Sequence, residues 1–145
     1  MVSLGVQESN DGIEDQVMKK AIITGATSGI GRALALKLAR EDYLVGIIGR
    51  RSERLEELRR LAPGQFVTRS FDLRDYDKAE KMLDDLTREL GGLDLMIANA
   101  GVDRRNPTLN LEPELETIEV NVATFVVCVD WAAAYFKRQG RGHIV

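Results

Sequence analysis

Eight consecutive residues, Thr24-Gly25-Ala26-Thr27-Ser28-Gly29-Ile30-Gly31, set three glycines among three hydroxyl side chains. The apolar run Ala21-Ile22-Ile23 comes just before them, and an alanine- and leucine-rich stretch, Arg32 to Arg40, comes just after. Strand, glycine turn and helix in this order bring main-chain N–H groups and a helix N-terminus together, which is how a backbone grips a phosphate. Gly25 would permit the tight turn, Gly29 would let a ligand approach the backbone, and Gly31 would let the helix pack close to the strand. The spacing is G-x-x-x-G-x-G. It differs from the commonest dinucleotide fingerprint, and no P-loop spacing occurs anywhere in the chain.

Further polar residues stand where they could contact such a ligand. Arg50 and Arg51 follow Gly49 at the tip of a second apolar run. Asp72-Leu73 and Asn99-Ala100-Gly101 end a third and a fourth. Arg104 and Arg105, in the loop after the fourth run, could attract an acidic substrate, although a solvent-facing role is the simpler reading. Asn121 lies among Val120, Val122, Ala123 and Phe125, so its amide must find partners or carry a cost. Metal chemistry has no donor cluster, with one cysteine, Cys128, and the lone His143. Cys128 sits in an apolar helix and reads as a small buried hydrophobe, and a single cysteine excludes an internal disulfide.

The elements that must hold these residues alternate between apolar runs and helical periodicity, which predicts βαβ units and a parallel sheet. Expected strands are 20–24, 44–48, 65–71 and 93–98, with a fifth beginning at 142–145. Expected helices are 30–40, one capped by Ser52 that carries Leu55, Leu58 and Leu61, one capped by Asp75, and a long one. Pro113 suits the first turn of the long helix, and Gly140 suits the position past its end. Nearly continuous apolar strands point to burial on both sheet faces. Right-handed crossovers then predict a Rossmann-like doubly wound α/β fold of order 3-2-1-4, with the ligand crevice at the reversal between strands one and four.

Composition narrows the function classes. At 145 residues, with 44% hydrophobic and 30% charged side chains, the chain suits one globular domain. Twenty basic against twenty-three acidic residues give −3, which argues against a nucleic-acid or membrane surface. The apolar stretch Val122 to Val129 ends at Asp130 and is short for a bilayer span. Residues 1–17 lack a basic start and an apolar core, so they read as a flexible extension rather than a secretory signal, and a cytoplasmic location is the expectation.

Taken together, Thr24-Gly25-x-x-x-Gly29-x-Gly31, Arg50, Asp72-Leu73, Asn99-Ala100-Gly101 and Asn121 resemble the short-chain dehydrogenase/reductase family from Met18 to Val145. The resemblance implies NAD(P)-dependent hydride transfer between a nicotinamide cofactor and a small carbonyl or alcohol substrate. It implies that Gly25, Thr27, Ser28, Gly29, Ile30 and Gly31 hold the pyrophosphate and adjoining ribose. Asp72 would meet the adenine amino group, with Leu73 alongside the ring. Asn99, Ala100 and Gly101 would pack beside the adenosine-side ribose, and Asn121 would organise a water in the proton relay.

Cofactor preference rests on the end of strand two, where an acid would select NAD and arginine accommodates a 2′-phosphate. Gly49 stands at the acid's place and Arg50-Arg51 follow, so NADP is expected over NAD; alternatively both arginines join a solvated basic face with Arg54, Arg59 and Arg60. The family's Tyr-x-x-x-Lys is missing, because Ile47, Glu80 and Gln139 stand four places after Tyr43, Tyr76 and Tyr135. Gly142-His143-Ile144-Val145 resembles the strand leading to the family's catalytic serine, so the expectation is a cofactor-binding portion truncated before the catalytic half. The apolar helix 113–138 predicts a homo-oligomer. Two alternatives stay open: a non-catalytic dinucleotide-binding protein, and a self-associating module whose apolar helix is the working surface.

Overall fold

Alternating apolar runs and helical stretches build a five-stranded sheet flanked by helices in the computed structural model, which describes residues 18–145. The proposed extension at 1–17 lies outside the described residues. In chain order the elements are β1 (Lys20–Thr24), α1 (Gly29–Arg40), β2 (Leu44–Gly49), α2 (Ser52–Leu61) and β3 (Phe66–Ser70). They continue with α3 (Tyr76–Leu90), β4 (Leu95–Ile97), α4 (Leu111–Ile118), a π-helical turn (Glu119–Ala123), α5 (Thr124–Gln139) and β5 (His143–Ile144). All pairings are parallel and the order is β3-β2-β1-β4-β5, as the apolar patterning predicts. Ala21 stands beside Val45 on one side and Leu95 on the other, so β1 is the sheet's central strand.

Successive side chains on a strand point to opposite faces, and here each face has its own core. Ala21, Ile23, Val45 and Ile47 pack with Ala35 and Ala39 of α1 and with Leu55 and Leu58 of α2. Ile22, Ile48 and Met96 pack on the other face with Leu83, Leu86 and Leu90 of α3 and with Cys128, Trp131, Ala132 and Phe136 of α5. Cys128 is buried as expected, and burial pushes its thiol up to about 12.

Several local expectations are corrected. Ser52 begins α2 instead of capping it; Arg51 holds the cap position. Asp75 does precede α3, but its carboxylate takes the Lys78 ammonium at 2.7 Å and makes no cap bond. The strands at 65–71 and 93–98 are shorter at both ends, because the flanking residues already turn into loops.

The long helix is interrupted by the π-helical turn, a feature that composition does not signal. Only Val120, Thr124, Cys128, Trp131, Ala132 and Phe136 are buried along the π turn and α5, whereas Leu111, Leu115, Ile118, Val122, Phe125 and Val126 are exposed. From Leu111 to Gln139 the helical run is 29 residues, which by length and composition reaches what a membrane span requires. It exceeds the stretch Val122 to Val129 because α4, the π turn and α5 follow one another with no non-helical residue between them.

Candidate nucleotide-binding site

The glycine turn is shaped by steric exclusion. Gly25 has φ +69, and a Cβ there would stand 2.7 Å from the Ala100 Cα. At Gly31 a Cβ would stand 2.4 Å from the Asn99 amide nitrogen and 2.5 Å from the Gly25 carbonyl oxygen. Gly29 has φ +55 and faces open space, as an approach route for a ligand requires. The turn is tied to both neighbouring strands: Ala26 N–H donates to the Ile48 carbonyl at 3.2 Å, and the Ala100 N–H donates to the Thr24 hydroxyl at 2.9 Å. Asn99 Nδ2 donates to the Thr24 and Gly25 carbonyls at 3.1 and 3.4 Å, so its amide braces the turn from β4.

α1 begins after Ser28 with no side-chain cap and no acidic residue in its first turn. The N–H groups and dipole of this helix end are therefore left for an anion. The Ser28 hydroxyl is turned elsewhere. Arg51 Nη2 donates to it at 3.0 Å and to Thr27 Oγ1 at 2.8 Å. Arg54 and Arg59 pair with Glu57 and Glu56 on α2. Arg50 points to Asp72 instead, with Nη1 3.9 Å from Oδ2. A Cβ at Gly49 would come 2.4 Å from the Thr27 methyl, so a side chain there requires Thr27 to shift.

These residues enclose a cavity of about 350 Å³ between the ends of β1, β2, β3 and β4. Its walls carry three guanidinium groups, Arg50, Arg51 and Arg74, against one carboxylate, Asp72. Gly25, Thr27, Ser28, Leu73, Ala100 and Gly101 also line it. Gly29, Ile30 and Gly31 form the first turn of α1; the Ile30 side chain is 73% exposed, so its main chain is what it offers a ligand. Asn99 and Asn121 are not among the residues that line it. Asn121 is exposed, not buried as its neighbours suggest, yet both ends of its amide are used: Oδ1 accepts from Val102 N–H at 2.7 Å and Nδ2 donates to Val102 O at 2.8 Å.

Arg74 is the residue that sequence reasoning missed. Its Nη2 reaches Asp72 Oδ2 at 2.6 Å, its Nε lies 3.1 and 3.2 Å from the two oxygens, and its N–H donates to Oδ1 at 3.1 Å. That side-chain grip, with help from Arg50, holds the Asp72 carboxyl below the usual carboxylate range. Arg104 is paired with Glu116 at 3.0 Å.

The chain matches the short chain dehydrogenase family over residues 19–145. It belongs to the short-chain dehydrogenase family. An uncharacterized oxidoreductase of Mycobacterium tuberculosis is 31% identical over 134 residues, covering 88% of this chain and 53% of that protein. A 3alpha-hydroxysteroid dehydrogenase of Mediterraneibacter gnavus is 31% identical over 134 residues, covering 88% of this chain and 54% of the relative. The crystal structure of a 3-ketoacyl-ACP reductase from Sinorhizobium meliloti superposes with TM-score 0.76 at 35% identity, covering 86% of this chain and 51% of that one. This short-chain dehydrogenase sequence thus spans about half the length of the relatives it matches.

Proposed function

We propose that residues 18–145 are the dinucleotide-binding part of an NADP-dependent short-chain oxidoreductase acting on a small carbonyl or alcohol. The observation carrying this reading is the cavity beside the uncapped N-terminus of α1, with three guanidinium groups against one carboxylate. Such a wall favours a polyanion over a neutral ligand.

Each residue then has a part. Main-chain N–H groups from Gly25 to Gly31, with the Thr27 and Ser28 hydroxyls, hold the diphosphate and its ribose. Arg51 and Arg50 hold the 2′-phosphate, for which a planar fork is the better match. Asp72 accepts from the adenine amino group beside Leu73. Asn99, Ala100 and Gly101 flank the ribose and keep β4 against the turn. Asn121 fixes Val102 and takes the family's place in the proton relay. The cofactor, when bound, supplies the hydride chemistry. No Tyr-x-x-x-Lys spacing occurs in this sequence, so on this reading residues 18–145 serve cofactor binding.

The names of the relatives, a hydroxysteroid dehydrogenase and a ketoacyl reductase, support the carbonyl or alcohol class. We place the protein in the cytoplasm, without nucleic-acid or membrane partners, as a homo-oligomer joined through helix 113–138. The exposed apolar stripe from Leu111 to Val126 supports that last element, and it is also what favours the second reading, a self-associating module.

Titration of the chain with NADPH and NADH tests the proposal. NADPH is expected to bind more tightly, and Arg51→Gln is expected to weaken NADPH by about tenfold while changing NADH little. Arg50→Asp should likewise weaken NADPH more than NADH. Equal losses for both coenzymes in both variants remove the assignment to NADP, and no binding of either removes the oxidoreductase reading.

A further inference from the structure

Arg74 touches the candidate nucleotide site on one side and the long helix on the other. While its Nε and Nη2 hold Asp72, its Nη1 stands 4.0 Å from a Glu116 oxygen and 4.0 Å from a Glu119 oxygen. Glu116 is gripped by Arg104 through Nε at 3.1 Å and Nη2 at 3.0 Å, and Glu119 accepts from the Tyr76 hydroxyl at 3.4 Å. A line of alternating charge therefore runs from Arg50 through Asp72, Arg74 and Glu116 to Arg104, joining the end of β2 to the loop after β4.

α4 depends on this line more than an ordinary helix would. It has no buried residue, and Leu111, Leu115 and Ile118 are 69%, 54% and 56% exposed. With so little apolar area removed from water, its placement falls to polar contacts, those of Arg74, Arg104 and Tyr76 and the Asn121–Val102 pair just beyond.

We propose that Arg74 is a positioning residue that couples occupation of the nucleotide cavity to the placement of α4 and the π turn. The inference rests on the dinucleotide reading of the cavity. An amino group donating to Asp72 competes with Arg74 for the same carboxylate lone pairs. The guanidinium then gives up part of its hold on Asp72 and closes on Glu116 and Glu119, where it stands short of hydrogen-bond distance. α4 and the π turn are drawn toward the cavity. A ligand shifts an equilibrium only through contacts that differ between the two states, and here the differing contact is the Asp72 carboxylate. The coupling is reciprocal, so loosening α4 weakens the nucleotide.

Hydrogen exchange of the whole chain, with and without saturating NADPH and alongside a binding titration, tests this. NADPH is expected to slow exchange over 111–123 as well as at the glycine turn. Arg74→Gln is expected to keep the slowing at the turn and lose it over 111–123. Arg74→Lys should restore part of the effect, since it keeps the charge without the fork. Glu116→Gln with Glu119→Gln cuts the far side and leaves the Asp72–Arg74 contact, so it decides the matter if Arg74→Gln fails to fold. Slowing over 111–123 in Arg74→Gln equal to the parent overturns the proposal. So does its absence in the parent while the turn is protected. Failure of the parent to bind NADPH at all overturns the dinucleotide reading and takes this inference with it, and the titration shows which has happened.

Discussion

The glycine turn and the long helix border the same cavity, but different forces hold them. In the turn, Thr24, Ala26 and Thr27 are 1%, 0% and 8% exposed, and hydrogen bonds from Ala26, Ala100 and Asn99 hold the main chain. Along Leu111 to Ile118 nothing is buried, and charged pairs near the surface supply the order. Exposed pairs each contribute little and are screened by salt, whereas a close-packed backbone cannot shift without collision. One region is thus built to keep its shape. The other, on the coupling proposed above, shifts when a charge nearby changes partners.

Four measurements test that contrast. The largest effect is expected on the inner stripe of α5. Trp131 is 7% exposed and donates Nε1–H to Asp84 at 2.9 Å, so Trp131→Ala should cost about 4 kcal/mol in urea unfolding. Next comes Gly31→Val. Its Cβ would lie 2.4 Å from Asn99 and 2.5 Å from the Gly25 carbonyl oxygen, and a loss of about 2–3 kcal/mol is expected. A loss below about 0.5 kcal/mol would mean that the turn yields, and the contrast with α4 would fail.

Smaller still is Phe125→Ser with Val126→Ser on the outer stripe, where the residues are 44% and 46% exposed. Unfolding of the monomer should change by about 0.5 kcal/mol or less, while sedimentation should shift toward smaller species. Unchanged sedimentation would count against association through this helix.

The smallest effect is acid dependence. Asp72 has its folded value depressed, first by the Arg74 side-chain hydrogen bonds, so the contribution of the pair is fully present above the ordinary carboxylate range. It is withdrawn as pH falls through the lower folded value. The stability gap between the parent and Arg74→Gln should therefore be constant from about pH 5 to 7 and narrow below about pH 4. A gap that widens in acid would contradict the pairing.

Legibility in the sequence followed the same divide. Gly25 and Gly31 announced themselves because only a missing side chain satisfies such crowding, and the runs at β1 and β2 declared a strand buried on both faces. The interruption at Glu119–Ala123 gave no sign, since its residues, Glu-Val-Asn-Val-Ala, suit an ordinary helix. Asn121 was read as needing partners, and it has them, but they come from Val102 across a loop whose path periodicity does not encode. Arg50 and Arg51 looked equivalent as neighbours. Folding sent one to Asp72 and the other to the hydroxyls of Thr27 and Ser28.

By itself, the sequence determined the doubly wound sheet, its strand order and the place of the glycine turn. These follow from local sterics and from which faces must leave water. Packing in three dimensions brings Thr27 against Gly49, Arg74 onto Asp72, and leaves Val122, Phe125 and Val126 outside the chain's own core. Those outcomes depend on side chains far apart in the chain meeting at one point, where distance and competition for partners decide the result.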